Sequence, residues 1–100
     1  MDEYVVKLYA KASRDLDEIY EYIARSLFAP GAALGMMNDL ETAILSLEVM
    51  PKRGAVRKVG RYAGNGYRQL FVKNYIIIYK VIEEKKEVHI VTVRYAASQF

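Results

Sequence analysis

Residues 66–100, GYRQLFVKNYIIIYKVIEEKKEVHIVTVRYAASQF, contain three apolar runs rich in β-branched and aromatic residues, separated by two short polar breaks. Runs of this kind predict strands at 67–72, 75–82 and 87–95. Lys73-Asn74 leaves only two residues for the first reversal, the length of a tight hairpin turn. Glu83-Glu84-Lys85-Lys86 makes the second, a polar turn between apolar strands. Three strands joined this tightly must run antiparallel, because a parallel return needs a long crossover. Whatever precedes them has to cover one face of that meander.

The upstream sequence supplies the cover. Residues 4–9 alternate loosely and predict a first strand. Lys11-Ala12-Ser13 then leads into a helix, with Ser13 as the expected N-cap and Asp15, Asp17 and Glu18 at the positive end of its dipole. Leu16, Ile19, Tyr20, Ile23 and Leu27 recur at three- and four-residue steps and form its apolar face. Pro30-Gly31 is the expected break, and Leu34, Met37, Leu40, Ile44 and Leu47 mark a second helix ending near Met50-Pro51. Residues 52–65 hold three glycines and five basic residues and predict a long loop with room for a short strand. The order is β-α-α-β-β-β: an α+β domain over residues 1–100, its helical hairpin packed on one face of a mainly antiparallel sheet. The other face is expected to be left for solvent or a partner.

Hydrophobic residues at 53% and charged residues at 27% suit a packed domain. No run reaches the roughly 18–20 apolar residues of a membrane helix, and MDEYVVKLYA lacks the basic and apolar stretches of a signal peptide. With no cysteine there is no disulfide framework, thiolate nucleophile or zinc knuckle, which suits a cytoplasmic protein. The net charge of +3 conceals an asymmetry: residues 1–50 carry 4 basic and 9 acidic side chains, residues 51–100 carry 11 and 3. Residues 49–82 contain no acid, yet hold Lys52, Arg53, Arg57, Lys58, Arg61, Arg68, Lys73 and Lys80. A polyanionic partner, nucleic acid or an acidic protein segment, fits that bias, with Lys52, Arg53, Arg57, Lys58, Arg61 and Lys73 as candidate contacts; a solvated basic edge is the alternative.

The chemistry-bearing residues are few. The sequence has no DxD, HExxH, GxGxxG or P-loop pattern, and no cofactor or metal is expected. The acidic residues read as dipole partners and solubilising charges. His89, the only histidine, lies mid-strand in step with Val91 and Val93 and reads as a satisfied or half-exposed strand residue. Arg68 shares a strand face with Leu70 and Val72, so it must reach the sheet's edge or find a partner such as Glu18 or Glu21. Arg94 and Tyr95 end the last strand, where side chains often serve function. Arg68, Arg94 and Tyr95 are therefore the candidate catalytic set. Tyr62, Tyr67, Tyr75, Tyr79 and Tyr95 fall in or beside the basic half; they could stack on bases or simply suit strands.

The element order, together with the segments R-x-L-x-V-x-N-Y (Arg68 to Tyr75), YIIIYKV (Tyr75 to Val81) and VHIVTVRY (Val88 to Tyr95), resembles the RelE/ParE superfamily of toxins over essentially the whole chain. The resemblance implies a growth-inhibiting toxin of a type II toxin–antitoxin system, of the kind linked to plasmid stabilisation. It implies neutralisation by a cognate antitoxin through an acidic, partly amphipathic segment. RelE-like members cleave messenger RNA on the ribosome, whereas ParE-like members poison DNA gyrase. The cations of the ribonuclease members fall here on Ile76, near Tyr67 and Gln69, and at about Ala96 or Ala97, and the sequence runs to Phe100 without their usual C-terminal tyrosine. Losing one transition-state cation costs on the order of 3 kcal/mol. The expectation is accordingly ParE-like, with a divergent ribonuclease or a non-toxic binding module as alternatives.

Overall fold

The computed structural model describes residues 3–98, so Phe100 lies outside the described residues. It shows a five-stranded sheet in the order β1-β5-β4-β3-β2. The strands are β1 (Val5–Leu8), β2 (Ala55–Val56), β3 (Arg68–Val72), β4 (Tyr75–Ile82) and β5 (Glu87–Tyr95). β1 runs parallel to β5, and every other pairing is antiparallel. The β3–β4 hairpin turns through Lys73-Asn74, with Val72 opposite Tyr75. Lys73 takes a left-handed φ of 52°, as tight hairpin turns require. One turn of 3₁₀ helix, Glu83–Lys85, followed by left-handed Lys86, joins β4 to β5.

Helix α1 spans Ala10–Glu21, starting four residues earlier than an N-cap at Ser13 would place it. Its N-cap is Tyr9, and no side chain caps it. Instead the Tyr9 N–H donates to the Ile90 carbonyl at 2.9 Å, so strand pairing fixes where the helix starts. Asp15, Asp17 and Glu18 consequently lie beyond the first turn, and the dipole role expected for them does not apply. One turn of π-helix, Tyr22–Ser26, extends α1, and the chain reverses at Phe28 (φ 53°). Pro30 does not interrupt a helix but begins α2 (Pro30–Ser46), at the position where its missing N–H costs nothing. The helix ends at Ser46, short of Met50-Pro51, and its last turn is tied down by Arg53 Nη1 donating to Ser46 Oγ at 2.7 Å.

The core lies between the helices and the sheet. Ala12, Ile19, Leu40 and Leu47 meet Ile77, Tyr79, Val88 and Ile90. Burying each large side chain contributes about 1.5–3 kcal/mol. Ile76 and Ile78 point the opposite way on β4, yet they are only 1% and 0% exposed. That face is therefore not left open along its length. The loop after α2 folds over it: Lys80 Nζ lies 5.2 Å from the Tyr67 ring centroid, and Arg57 Nη1 donates to Gln69 Oε1 at 2.7 Å.

A β-bulge interrupts the central ladder. Ile78 faces Thr92 while Tyr79 faces Ile90, leaving Val91 as the extra residue. Asp15 of α1 accepts hydrogen bonds from the Val93 N–H at 3.1 Å and from the Thr92 hydroxyl, and pairs with Lys11 Nζ at 3.0 Å. One carboxylate thus satisfies the Val93 N–H and the Thr92 hydroxyl beside the bulge and pins α1 to the sheet.

Candidate functional site

The three residues singled out as a catalytic set lie apart. Opposed residues of an antiparallel pair share a face. Arg68 stands opposite Tyr79, on the helix-covered face, whereas Arg94 stands opposite Ile76, on the other. They are also two strand spacings apart across the sheet and three residues apart along it, about 10 Å in each direction. Arg68 does not pair with Glu18 or Glu21. Its Nη1 donates to the Gly54 carbonyl at 2.7 Å. The Gly54 N–H in turn donates to the buried Tyr79 hydroxyl at 2.9 Å. An added Cβ at Gly54 would lie 2.7 Å from that hydroxyl, so only glycine fits. Burial holds the Tyr79 phenol above its ordinary pKa, despite the Gly54 N–H and nearby Arg68 and Arg53. Arg68, half-buried, thus joins the buried Gly54 and Tyr79 in a clasp that anchors the start of the loop.

Tyr95 reaches a different place. It packs edge-on against Tyr75, ring centroids 5.8 Å apart, over a cleft of about 920 Å³. Ile19, Ile23, Met36 and Val93 make its apolar floor, and Tyr22, Tyr75 and Tyr95 border it. Lys73 and Arg94 also line the cleft. The Lys73 ammonium lies 2.6 Å from Asp39 Oδ2, bridging the hairpin turn to α2. Desolvation, then the neighbouring Tyr22 and Tyr95, raise the Tyr75 pKa, so its phenol stays neutral and available as a hydrogen-bond donor. The apolar outer ends of the helical hairpin, Leu27 and Phe28, continue this surface; Phe28 is 88% exposed.

The remaining candidate contacts are dispersed around the loop. Arg57 is buried, donating to the Val59 carbonyl at 3.0 Å as well as to Gln69, so its guanidinium serves the fold. Lys52 pairs with Glu83 at 3.2 Å, and Tyr4 donates to the same carboxylate at 2.8 Å. Hydrogen bonds from Tyr4 and then Lys52 hold the Glu83 carboxyl below its ordinary pKa. Lys58 and Arg61 are exposed. Among the described residues, no group of three histidine, cysteine or acidic side chains is placed to hold a metal ion.

Sequence reasoning missed Asp15, Tyr22 and Gly54. Their roles depend on the bulge, the π-turn and the fold-back of the loop, which connect residues distant in sequence. It also gave His89 no partners. The ring lies 3.2 Å from the Tyr9 hydroxyl and 2.9 Å from Glu87, whose other oxygen meets Lys7 at 2.9 Å.

A helical hairpin over a five-stranded sheet with one parallel edge is the architecture of the RelE/ParE toxins. It is similar to the chromosomal ParDE toxin–antitoxin system of P. aeruginosa at 25% identity and a TM-score of 0.76, covering 93% of this chain and 96% of that one. It also resembles a RelBE toxin–antitoxin complex from Mycobacterium tuberculosis at 22% identity and a TM-score of 0.66, over 98% and 97% of the two chains. For the archaeal RelE–RelB complex from Pyrococcus horikoshii, the identity is 17% and the TM-score 0.64, over 95% and 97%. No curated protein sequence matches significantly. Residues 6–100 match the model of the ParE toxin of the type II toxin–antitoxin system parDE. The chain belongs to that family.

Proposed function

We propose that this ParE-family toxin acts by docking on its target rather than by cutting RNA, and that the target is DNA gyrase. The observation that carries this reading is the separation of Arg68 and Arg94 onto opposite faces of the sheet. Phosphodiester cleavage without a metal needs a base, a proton donor and cations around one phosphate. Arg68 is instead held against the Gly54 carbonyl, and the position expected for a ribonuclease arginine holds the buried Ile76. Exposed Lys58 and Arg61, with Tyr95 at the cleft, suit gripping a large partner.

The cognate antitoxin, in this reading, lays an acidic, partly amphipathic segment over the basic half and its apolar side chains into the tyrosine-bordered cleft. Binding should weaken as salt rises. The mechanism is tested by inducing the chain without its antitoxin and mapping 5′ ends of messenger RNA by primer extension. Growth should stop while transcripts stay intact. New 5′ ends that vanish in an Arg94→Ala variant would overturn the docking reading.

A further inference from the structure

The sheet's other edge is β1, paired on one side only, with β5. Val5 and Tyr9 of the β1 region aim their N–H groups inward, at the carbonyls of Lys86 and Ile90, each at 2.9 Å. Backbone groups alternate sides along a strand, so Val6 and Leu8 aim theirs outward. Tyr4, in the same phase, spends its N–H on the Glu48 carbonyl at 2.8 Å. Among the described residues, the Val6 and Leu8 amides meet no partner on that side. An uncovered edge of this kind is a template for an added strand.

Beside it lies a cleft of about 370 Å³ between β1 and α2. Val6, Leu8, Leu16, Ile44 and Leu45 line it, and Glu41 and Glu48 supply its charge. Leu8 and Leu45 remain about half exposed, at 46% and 49%. The nearby cations are already engaged: Lys7 pairs with Glu87, Lys11 with Asp15, and the Lys86 ammonium lies 5.2 Å from the Tyr4 ring centroid. The uncompensated charge beside the edge is therefore negative.

We infer that the β1 edge and its acidic-rimmed cleft bind an extended segment of a partner chain, added as a sixth strand. Its inward-facing side chains would read cation, apolar, cation at alternate positions. The spacing sets that pattern. Glu41 and Glu48 are seven residues apart along α2 and the turn after it, about 10 Å. Side chains four residues apart on one strand face stand about 13 Å apart, a difference that long basic side chains absorb. The apolar residue between them would meet Leu45 and Leu8. A second copy of this chain is a poor occupant, because β1 against β1 would bring the Glu41 and Glu48 of both copies together. The inference stands independently of the gyrase reading.

The test uses the full chain and a labelled synthetic peptide, Thr-Lys-Thr-Val-Thr-Lys-Thr, followed by fluorescence anisotropy and amide hydrogen exchange. The peptide should bind and slow exchange at Val6 and Leu8. Replacing both lysines with glutamate, methylating the peptide's edge-facing amides, or the variant E41K/E48K should each weaken binding at least about tenfold, or 1.4 kcal/mol. Failure of the lysine peptide to bind would overturn the inference, as would equal affinity for the glutamate peptide. Binding without protection at Val6 and Leu8, or self-association of the chain through those amides, would do the same.

Discussion

The middle of strand β4 is buried on both faces of the sheet, but by different chemistry. On the helix side, Leu40, Ile77, Tyr79 and Ile90 pack side chain against side chain. On the loop side, Ile76 and Ile78 share their face with polar and aromatic pairs, Arg57 with Gln69 and Lys80 over Tyr67. The first face holds the fold together. The second is covered by polar and cationic side chains of the loop and of β4. The apolar core thus lies on one side of β4 and the polar loop contacts on the other, while the tyrosine-bordered cleft opens on the helix side, at the start of the strand.

That contrast yields graded expectations. Leu40→Ala, at a fully buried site on the helix side, should lower the unfolding free energy by about 4 kcal/mol in denaturant titration. A loss under about 1 kcal/mol would mean that the helix face is not the stabilising one. Asp15→Ala should cost about 3 kcal/mol, because Lys11, the Thr92 hydroxyl and the Val93 N–H lose their common acceptor. Exchange should quicken most at Val93, which separates this role from a generic helix effect.

These two residues also show what a linear reading can reach. Leu40 belongs to a three- and four-residue stripe, visible without any structure, and strands β4 and β5 follow from runs that no other element accommodates. Asp15 is different. Near a helix start it reads as a dipole partner, and its actual role exists only because β5 bulges at Val91, 76 residues later in the chain. Ser13 misleads for a related reason: the helix start is set by the Tyr9–Ile90 hydrogen bond, not by a capping side chain. In the candidate site, the basic bias was legible but not its partition. Nothing local indicates that Arg57 turns inward while Lys58 beside it stays exposed.

On the loop side, Arg57→Ala should cost only about 1.5 kcal/mol and should speed exchange in residues 57–67 before it affects β4. A loss matching that of Leu40→Ala would erase the distinction between the faces. The smallest expected effect is with pH. Glu83 and Glu87 both have carboxyls held below the ordinary value, by Tyr4 and Lys52 and by His89 and Lys7 respectively. A depressed folded-state pKa adds stability that is fully present above the unfolded-state value near 4.5 and fades as pH falls through the lower folded value. Thermal midpoints measured from pH 7 down to pH 3 should therefore fall at the acid end. Glu83→Gln should flatten part of that fall, and a profile unchanged by the substitution would remove Glu83 from the account.

The central claim, that the surface grips a target instead of cleaving one, is met most directly by titrating the purified chain into a DNA gyrase reaction. Supercoiling should be inhibited and covalent gyrase–DNA complexes should accumulate. Both effects should be reversed by the antitoxin and survive Arg94→Ala to within about tenfold. Unaltered supercoiling and no trapped complexes, at concentrations of the chain that arrest growth, would contradict it.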